Sequence, residues 1–271
     1  MSFTLPPGRS KLSASSLSLF LKSPKAFYFR HVRKLEVALK SVGSFDHDKI
    51  LGQIWAEAVD RFYKGVPEKA NVEQTLKDWH EQTDGWVPPK LQAKYTTALE
   101  SWLTTYHQEF DPKDGVRNGS EKRVENERFV GYLDGLSADH TTIHEVKTTS
   151  RSPQVSEQLQ KVQTSIQIKL YAVLTGASGV VVEFCWKDAP YGIYRAPALA
   201  ITAEQRNEWE QELNALADRI YSLGSDINNY VCHPDGCTII TKNFVGACSY
   251  QPLCTGMEGA EIMFKAKENR Q

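Results

Sequence analysis

The order of predicted elements after residue 121 constrains the fold of this chain more than any other feature. Alternating apolar residues predict strands at 121–137 and 142–148, with a hairpin turn between them at Asp139 and His140. The elements predicted next are a helix at 154–175, strands at 179–186 and 191–198, and a helix at 203–223. This β-β-α-β-β-α order predicts an α/β or α+β core, because such elements pack as layers around a shared hydrophobic interior.

Helices predominate before this core. Ser13 or Ser15 is the predicted N-cap of a helix over 13–32, and Pro24 is expected to interrupt that helix. Further helices are predicted at 48–64, 72–83 and 90–110. We expect Trp79, Trp86 and Trp102 to pack in the core, with base stacking as the alternative role.

Charge and hydropathy limit the possible partners. The formal net charge of the 271 residues is −1, which disfavours indiscriminate coating of a polyanion. Residues 1–40, however, contain eight Lys and Arg residues against the single acidic Glu36, a net charge of +7. This segment is either a solvated helix face or a phosphate-contacting surface that includes Lys25 and Arg30. No run of apolar residues is long enough to span a bilayer, and no signal-peptide pattern is present. We therefore expect a cytoplasmic protein without a membrane partner.

Three ionisable residues converge on the predicted hairpin. Glu145 and Lys147 are two positions apart on one strand and share a face, and Asp134 lies on the partner strand. Two carboxylates, with the carbonyl of Val146 as a further ligand, suit Mg²⁺ or Mn²⁺. Lys147 would orient or help to deprotonate a water and stabilise charge on phosphorus. The alternative is a Glu–Lys surface pair on an edge strand.

Four motifs in order resemble the RecB-like group of the PD-(D/E)XK nucleases, which includes CRISPR-adaptation exonucleases and phage exonucleases. The first is an opening helix with Leu12-Ser-Ala-Ser-Ser-Leu and Ser23-Pro-Lys-Ala-Phe-Tyr-Phe-Arg30. The others are Gly131-Tyr-Leu-Asp134, Glu145-Val-Lys147-Thr-Thr and Gln167-Ile-Lys-Leu-Tyr171. No Walker A motif and no G-x-G-x-x-G is present, so an ATP-driven motor or a dehydrogenase is unsupported.

The resemblance implies a restriction-endonuclease-like core with a mixed central sheet flanked by helices. It implies a Mg²⁺- or Mn²⁺-dependent deoxyribonuclease, an exonuclease rather than an endonuclease, acting on linear double- or single-stranded DNA in recombination, repair or phage DNA processing. Asp134, Glu145 and Lys147 would be catalytic, and a homo-oligomer or a recombination protein is an expected partner. We interpret 1–271 as one nuclease domain, with a helical part at 13–120, a catalytic core at 121–223 and a cysteine-rich tail at 224–271.

Gln167 and Tyr171 are one helical turn apart and share a face, which Gln163 would extend by another turn. In the resembled group this helix lies beside the active site and contacts DNA. These side chains can either bond a phosphate or fix the lysine. Without the other motifs, a polar stripe at a helix boundary would be the simpler interpretation.

One position departs from the resembled group. The group has a metal-binding histidine in its second helix, where this chain has Ala56, so we expect the neighbouring Glu57 to serve as a ligand or to help position metal-bound water. Glu121 and Glu125 are further candidates, equally explained as surface charges. The missing imidazole is also the main argument for the alternative function, a catalytically weak or inactive DNA-binding protein that retains the nuclease fold.

The tail carries a cysteine pattern, Cys232-x4-Cys237-x10-Cys248-x5-Cys254. Four thiolates at this density suggest a [4Fe–4S] cluster or a zinc site, with His233 as an optional ligand, although no metal at all is an equal alternative to the cluster. Some nucleases of the resembled group hold a cluster with one cysteine from the opening helix and three near the C-terminus. Here Ser23 and Val245 stand at two of those positions. Cys185, in an apolar strand, is predicted to be a core residue.

Overall fold

The computed structural model describes residues 11–37, 47–110, 122–150, 155–231, 238–241, 244–247, 250, 253 and 264–266. Its helices are α1 (Ala14–Lys22), α2 (Pro24–Phe27), α3 (His47–Tyr63), α4 (Glu68–Thr83), α5 (Pro89–Glu109), α6 (Val155–Gln163), α7 (Ile166–Thr175) and α8 (Ala203–Ser222), with a π-helical turn at Tyr28–Val32 and a 3₁₀ turn at Ile227–Asn229. Its strands are β1 (Leu35–Val37), β2 (Lys122–Glu125), β3 (Val130–Leu133), β4 (Gly135–Leu136), β5 (Thr142–Thr149), β6 (Gly179–Trp186), β7 (Gly192–Arg195), β8 (Leu199–Ala200), β9 (Thr238–Thr241), β10 (Phe244–Ala247) and β11 (Phe264–Ala266).

The chain divides into two compact units. The first unit consists of the described parts of 1–44, 125–130 and 210–271. The second consists of the described parts of 45–124 and 131–209. The single domain over 1–271 stays a prediction. None of the described helices is long and apolar enough to cross a membrane.

A five-stranded mixed sheet forms the centre of the second unit. Its strands follow the order β4-β5-β6-β7, and β8 pairs with the other end of β6. Strands β5 and β6 are parallel, so the chain must cross over between them, and α6 and α7 form that crossover. The remaining pairs in this sheet are antiparallel. The predicted α/β class with a mixed central sheet is therefore confirmed.

Helices α3, α4 and α5 supply the main hydrophobic core of the second unit. Trp55, Trp79 and Trp102 are fully buried there, and Val146 and Cys185 join them from the sheet. The prediction of a core position for Cys185 is confirmed. Because side chains alternate along a strand, Glu145 and Lys147 project from the opposite face of β5 to Val146.

Trp86 does not belong to this core, and its prediction was wrong. Its side chain is 71% exposed. The residue follows Gly85, whose φ is +70°, in the turn between α4 and α5 instead of lying on a helix. The indole therefore remains largely accessible to solvent.

The first unit shows why the opening helix is short. Ser13 caps α1 by accepting the backbone N–H of Ser16, and the Ser16 hydroxyl interacts reciprocally with the cap. Ser23 ends α1 and caps α2, because its Oγ accepts the Ala26 N–H at 3.3 Å and Pro24 follows at the first helical position. Of the two predicted cap residues, Ser13 is the one that caps the helix, and the predicted break at Pro24 is confirmed. In the same unit β1 pairs with β11, and β9 pairs with β10.

Two predicted elements are interrupted in the structure. The helix predicted over 154–175 is split, because Ser165 accepts the N–H of Ile168 and starts a new helix, α7. The strand predicted over 121–137 is divided into β2, β3 and β4, with a bend at Asp134. The hairpin turn between β4 and β5 lies where it was predicted, and His140 adopts a φ of +62° there.

Candidate active site

Asp134 occupies the bend between β3 and β4, beside the middle of β5. Its Oδ2 accepts the backbone N–H of Val146 at 2.8 Å. This bond fixes the carboxylate next to the strand that carries Glu145 and Lys147. The structure thus brings together the three residues that the sequence predicted.

Glu145 is a buried carboxylate with little compensation. Its side chain is 1% exposed, and Lys147 forms an ion pair with it. The polar side chains of Lys147 and Gln167 lower the pKa of Glu145, but they do not offset its burial. Burial, and then the negative charge of Asp134, raise the pKa of Glu145 from 4.5 to about 7. A cation bound between the two carboxylates would relieve both effects.

The second buried glutamate of this sheet shows the contrast. Glu183 on β6 is 0% exposed, but Arg195 Nε donates to its Oε1 at 2.9 Å. The Tyr106 hydroxyl donates to its Oε2 at 3.1 Å. The negative charge of Glu183 is therefore balanced by Arg195 and by hydrogen bonds, as in a buried structural ion pair. The carboxylate of Glu145 has fewer such partners and can still accept a ligand.

Lys147 stays protonated in this setting. Burial alone would lower the pKa of its ammonium, but the carboxylates of Glu145 and Asp134 outweigh burial and raise it. Its Nζ also donates a hydrogen bond to Gln167 Oε1 at 3.2 Å. Lys147 is thus held as a cation from two sides.

A hydrogen-bonded chain on α7 supports this lysine. Gln167 Nε2 donates to the Tyr171 hydroxyl at 3.2 Å, and that hydroxyl donates to the carbonyl of Tyr132 on β3 at 2.6 Å. Gln167 and Tyr171 therefore bond within the protein and link β3 to Lys147. Of the alternatives left open by the sequence, this geometry favours fixing the lysine.

Gly131 permits this arrangement. A Cβ atom at Gly131 would lie 2.6 Å from Tyr171 Cε1, a separation that real side chains do not tolerate. In the sequence, Gly131 was identified only as the first residue of the Gly131-Tyr-Leu-Asp134 motif. Its role could not be found without the position of Tyr171, which lies 40 residues further along the chain.

The predicted extension of the α7 face to Gln163 does not hold. Gln163 is the last residue of α6, and the break at 164–165 separates it from Gln167 and Tyr171. Gln163 is half-buried at the end of its own helix. The described hydrogen bonds that link Tyr132 to Lys147 do not include Gln163.

The remaining acidic candidates lie apart from the described carboxylate pair. Glu57 is exposed on α3, and nowhere in the described ranges do three His, Cys, Asp or Glu side chains gather as a metal-ligand cluster. Glu125 forms a surface ion pair with Lys11, with 3.0 Å between Lys11 Nζ and Glu125 Oε2. The predicted residues that fall outside the described part of the chain are Glu121, Cys232, His233, Cys237, Cys248 and Cys254.

The two basic candidates belong to the first unit. Lys25 is half-buried on α2, and Arg30 is exposed on the π-helical turn. Ser23, which replaces the opening-helix cysteine of the iron–sulfur nucleases, is buried and occupied as a helix cap. A cluster in this chain would therefore have to form without a ligand at that position.

Comparison with known proteins fits this geometry. A family model described as the PD-(D/E)XK nuclease superfamily matches residues 11–255. The chain belongs to this superfamily. The predicted family is thus confirmed, and the superfamily is named for the acidic pair and the E-x-K strand that Asp134, Glu145 and Lys147 match in this chain. None of the curated proteins matches the chain significantly.

Solved structures with similarity to this PD-(D/E)XK protein include two described as exonucleases. One is a candidate exonuclease from Eubacterium rectale, with 11% identity, 79% of this chain and 82% of that chain covered, and a TM-score of 0.49. The other is a phage-related exonuclease from Haemophilus somnus 129PT, with 13% identity, 79% and 94% covered, and a TM-score of 0.38. Family membership rests on the family model.

The raised pKa of Glu145 predicts a pH-dependent stability. The unfolded state releases this proton near pH 4.5, and the metal-free folded state near pH 7, so stability from this group falls as the pH rises through that window. We expect Glu145→Gln to raise the melting temperature of metal-free protein, by an amount that grows from about pH 5 to about pH 8. Thermal unfolding of both proteins across this range measures the difference. Glu57→Gln, which changes an exposed carboxylate, is the matched control; a constant difference for Glu145→Gln would contradict the prediction.

Tyr171→Phe tests the support of Lys147. The substitution keeps the ring against Gly131 but leaves the Tyr132 carbonyl and Gln167 Nε2 without their partner. We expect the free energy of unfolding to fall by about 1–3 kcal/mol in denaturant titrations, the usual loss when a buried polar group is left unpaired. Tyr221→Phe, which removes a weaker hydroxyl contact at 3.5 Å, should have a smaller effect. An unchanged stability for Tyr171→Phe would show that the chain of bonds is not formed in solution.

Proposed function

We propose that this protein is a Mg²⁺- or Mn²⁺-dependent deoxyribonuclease that hydrolyses phosphodiester bonds in DNA, with an exonuclease mode preferred. The observation that carries the proposal is Glu145, a fully buried carboxylate that lies beside the second carboxylate of Asp134, with Lys147 as its ion-pair partner among the described residues. A structural carboxylate would be compensated as Glu183 is. The nuclease superfamily supplies the reaction class.

The residues fit a divalent metal ion. Asp134 and Glu145 offer hard carboxylate oxygens, and the carbonyl of Val146 is the proposed third protein ligand. When bound, such an ion polarises a phosphoryl oxygen and makes a water molecule more acidic. Because no third carboxylate joins the pair in the described part of the chain, Glu57 is left out of the proposed ligand set.

Lys147 supplies the positive charge that the reaction needs. Its ammonium would donate a hydrogen bond to an oxygen of the reacting phosphate as negative charge develops there. The raised pKa of Lys147 favours this role over that of a general base. Gln167 holds the ammonium in place, and Tyr171 and Gly131 hold Gln167.

We assign DNA contacts outside this centre to the basic opening segment, with Lys25 and Arg30 as phosphate contacts, and to Gln163 at the end of α6. The process that we propose is recombination, repair or the processing of phage DNA. A homo-oligomer or a complex with a recombination protein would suit a processive exonuclease. These assignments follow from the sequence motifs and the local charge of residues 1–40.

A cleavage assay on linear DNA tests the proposed function. We expect cleavage in Mg²⁺ or Mn²⁺, none in EDTA, and a loss of about 10²–10³-fold in kcat for Lys147→Ala, the effect of removing one stabilising donor. Lys77→Ala, which removes an exposed lysine of α4 paired with Glu81, is the matched control and should keep full activity. End-labelled linear DNA and covalently closed circles separate exonuclease from endonuclease activity.

The assay also decides between the two functions that the sequence left open. DNA binding without cleavage by the unmodified chain in either metal would favour the non-catalytic nuclease-fold protein. Ala56, where the resembled group has a histidine, is the observation behind that alternative. Cleavage that Lys147→Ala does not reduce would contradict the proposed site.

A further inference from the structure

We propose that Tyr132 is a base-stacking residue that receives an unpaired nucleobase next to the reacting phosphate. This inference rests on the proposed function and deepens it, because it names the substrate as DNA whose bases are unpaired at the site: a single strand or a frayed end.

The exposure of the ring is the first observation. Tyr132 is 52% exposed, although both of its neighbours on β3, Gly131 and Leu133, are buried. Gly131 faces Tyr171 of α7, so alternation along the strand places the Tyr132 ring on the other face, away from that helix. An aromatic ring that folding does not bury is available to a ligand.

The position of the ring is the second observation. Tyr132 lies two residues before Asp134, a distance of about 7 Å along a strand. Nucleotides of an extended strand with unstacked bases offer those bases to aromatic side chains nearby. A phosphate bound through a divalent cation at Asp134 would therefore bring a base within reach of Tyr132.

The backbone beneath the ring is fixed, which is the third observation. The carbonyl of Tyr132 accepts the Tyr171 hydroxyl at 2.6 Å, and Gly131 packs directly against the Tyr171 ring. The same residues hold Gln167 and, through it, Lys147. One network of hydrogen bonds thus fixes both the backbone that carries the ring and the Lys147 ammonium.

Other exposed aromatic residues lack this combination. Tyr194 lies on β7, the edge strand farthest from β4 in the sheet order, and its ring stacks on Phe184 with 6.5 Å between centroids. Trp86 lies in the turn between α4 and α5. Within the described ranges, Tyr132 is the exposed aromatic residue on the segment that carries Asp134.

The stacking role requires an unpaired base. In a duplex each base face is covered by its neighbours, so a side chain can stack on a base only at an end or in a single strand. Stacking is tolerant of sequence, because every base has a π-face. The site should therefore bind single strands with little base preference.

Equilibrium binding of a short single-stranded oligonucleotide tests the proposal without chemistry. All proteins carry Lys147→Ala, so that cleavage cannot interfere. We expect Tyr132→Ser to weaken binding by roughly fivefold or more, the lower end of the effect of one stacked base, while Tyr132→Phe stays within about twofold. Tyr194→Ser is the matched control, an exposed tyrosine of the same unit, and should bind like the parent.

Abasic oligonucleotides separate stacking from a structural role. A single abasic site is moved along the strand from one oligonucleotide to the next. At one position it should weaken binding by the parent protein. At that position Tyr132→Ser should weaken binding no further. Equal binding by Tyr132→Ser and its parent, or an effect of Tyr132→Ser that every abasic strand retains, would overturn the proposal, as would a failure of the parent to bind single strands. Cleavage by the unmodified chain is measured separately. The proposed deoxyribonuclease activity can therefore be confirmed even if the stacking role of Tyr132 is contradicted.

Discussion

The buried carboxylate of Glu145 is the group on which the candidate site depends. A carboxylate that leaves water is unfavourable unless cations or hydrogen-bond donors replace its solvation. Lys147 supplies one charge, but Asp134 adds a second negative charge nearby, and burial keeps the pKa of Glu145 raised. The pair of carboxylates is therefore short of positive charge in the metal-free state, and a divalent cation is the ligand that such a pair would bind most strongly.

The rest of the second unit holds this pair in place. The parallel pairing of β5 with β6 fixes the strand that carries Glu145 and Lys147, and the Val146 N–H fixes Asp134. On the face with Lys147, α7 adds a relay of hydrogen bonds that ends on the carbonyl of Tyr132. On the opposite face, the tryptophan-rich core of α3 and α5 supplies hydrophobic burial, and the Glu183–Arg195 pair satisfies the other buried charge. The favourable burial on one face thus offsets the cost of placing two carboxylates beside a single lysine on the other.

Local sequence patterns predicted much of the fold and of the candidate site. The Ser13 cap, the break at Pro24 and the hairpin near His140 each depend on a few adjacent residues, and the structure has all three. Convergence of Asp134, Glu145 and Lys147 followed from strand periodicity and a short turn. Contacts between distant residues could not be predicted in this way. The fit of Tyr171 against Gly131 depends on the crossover from β5 to β6, the break at Ser165 removed Gln163 from the shared helix face, and the turn at Gly85 exposed Trp86.

Isothermal titration calorimetry of the protein with Mn²⁺ tests the central claim that Asp134 and Glu145 together bind a divalent cation. The account predicts binding by the unmodified chain and a loss of at least about tenfold in affinity for Glu145→Gln and for Asp134→Asn. Lys147→Ala should bind Mn²⁺ at least as tightly as the unmodified chain, because the ammonium competes with the ion for the same carboxylates. Binding that is unchanged by Glu145→Gln and Asp134→Asn, or no Mn²⁺ binding at all, would contradict the account.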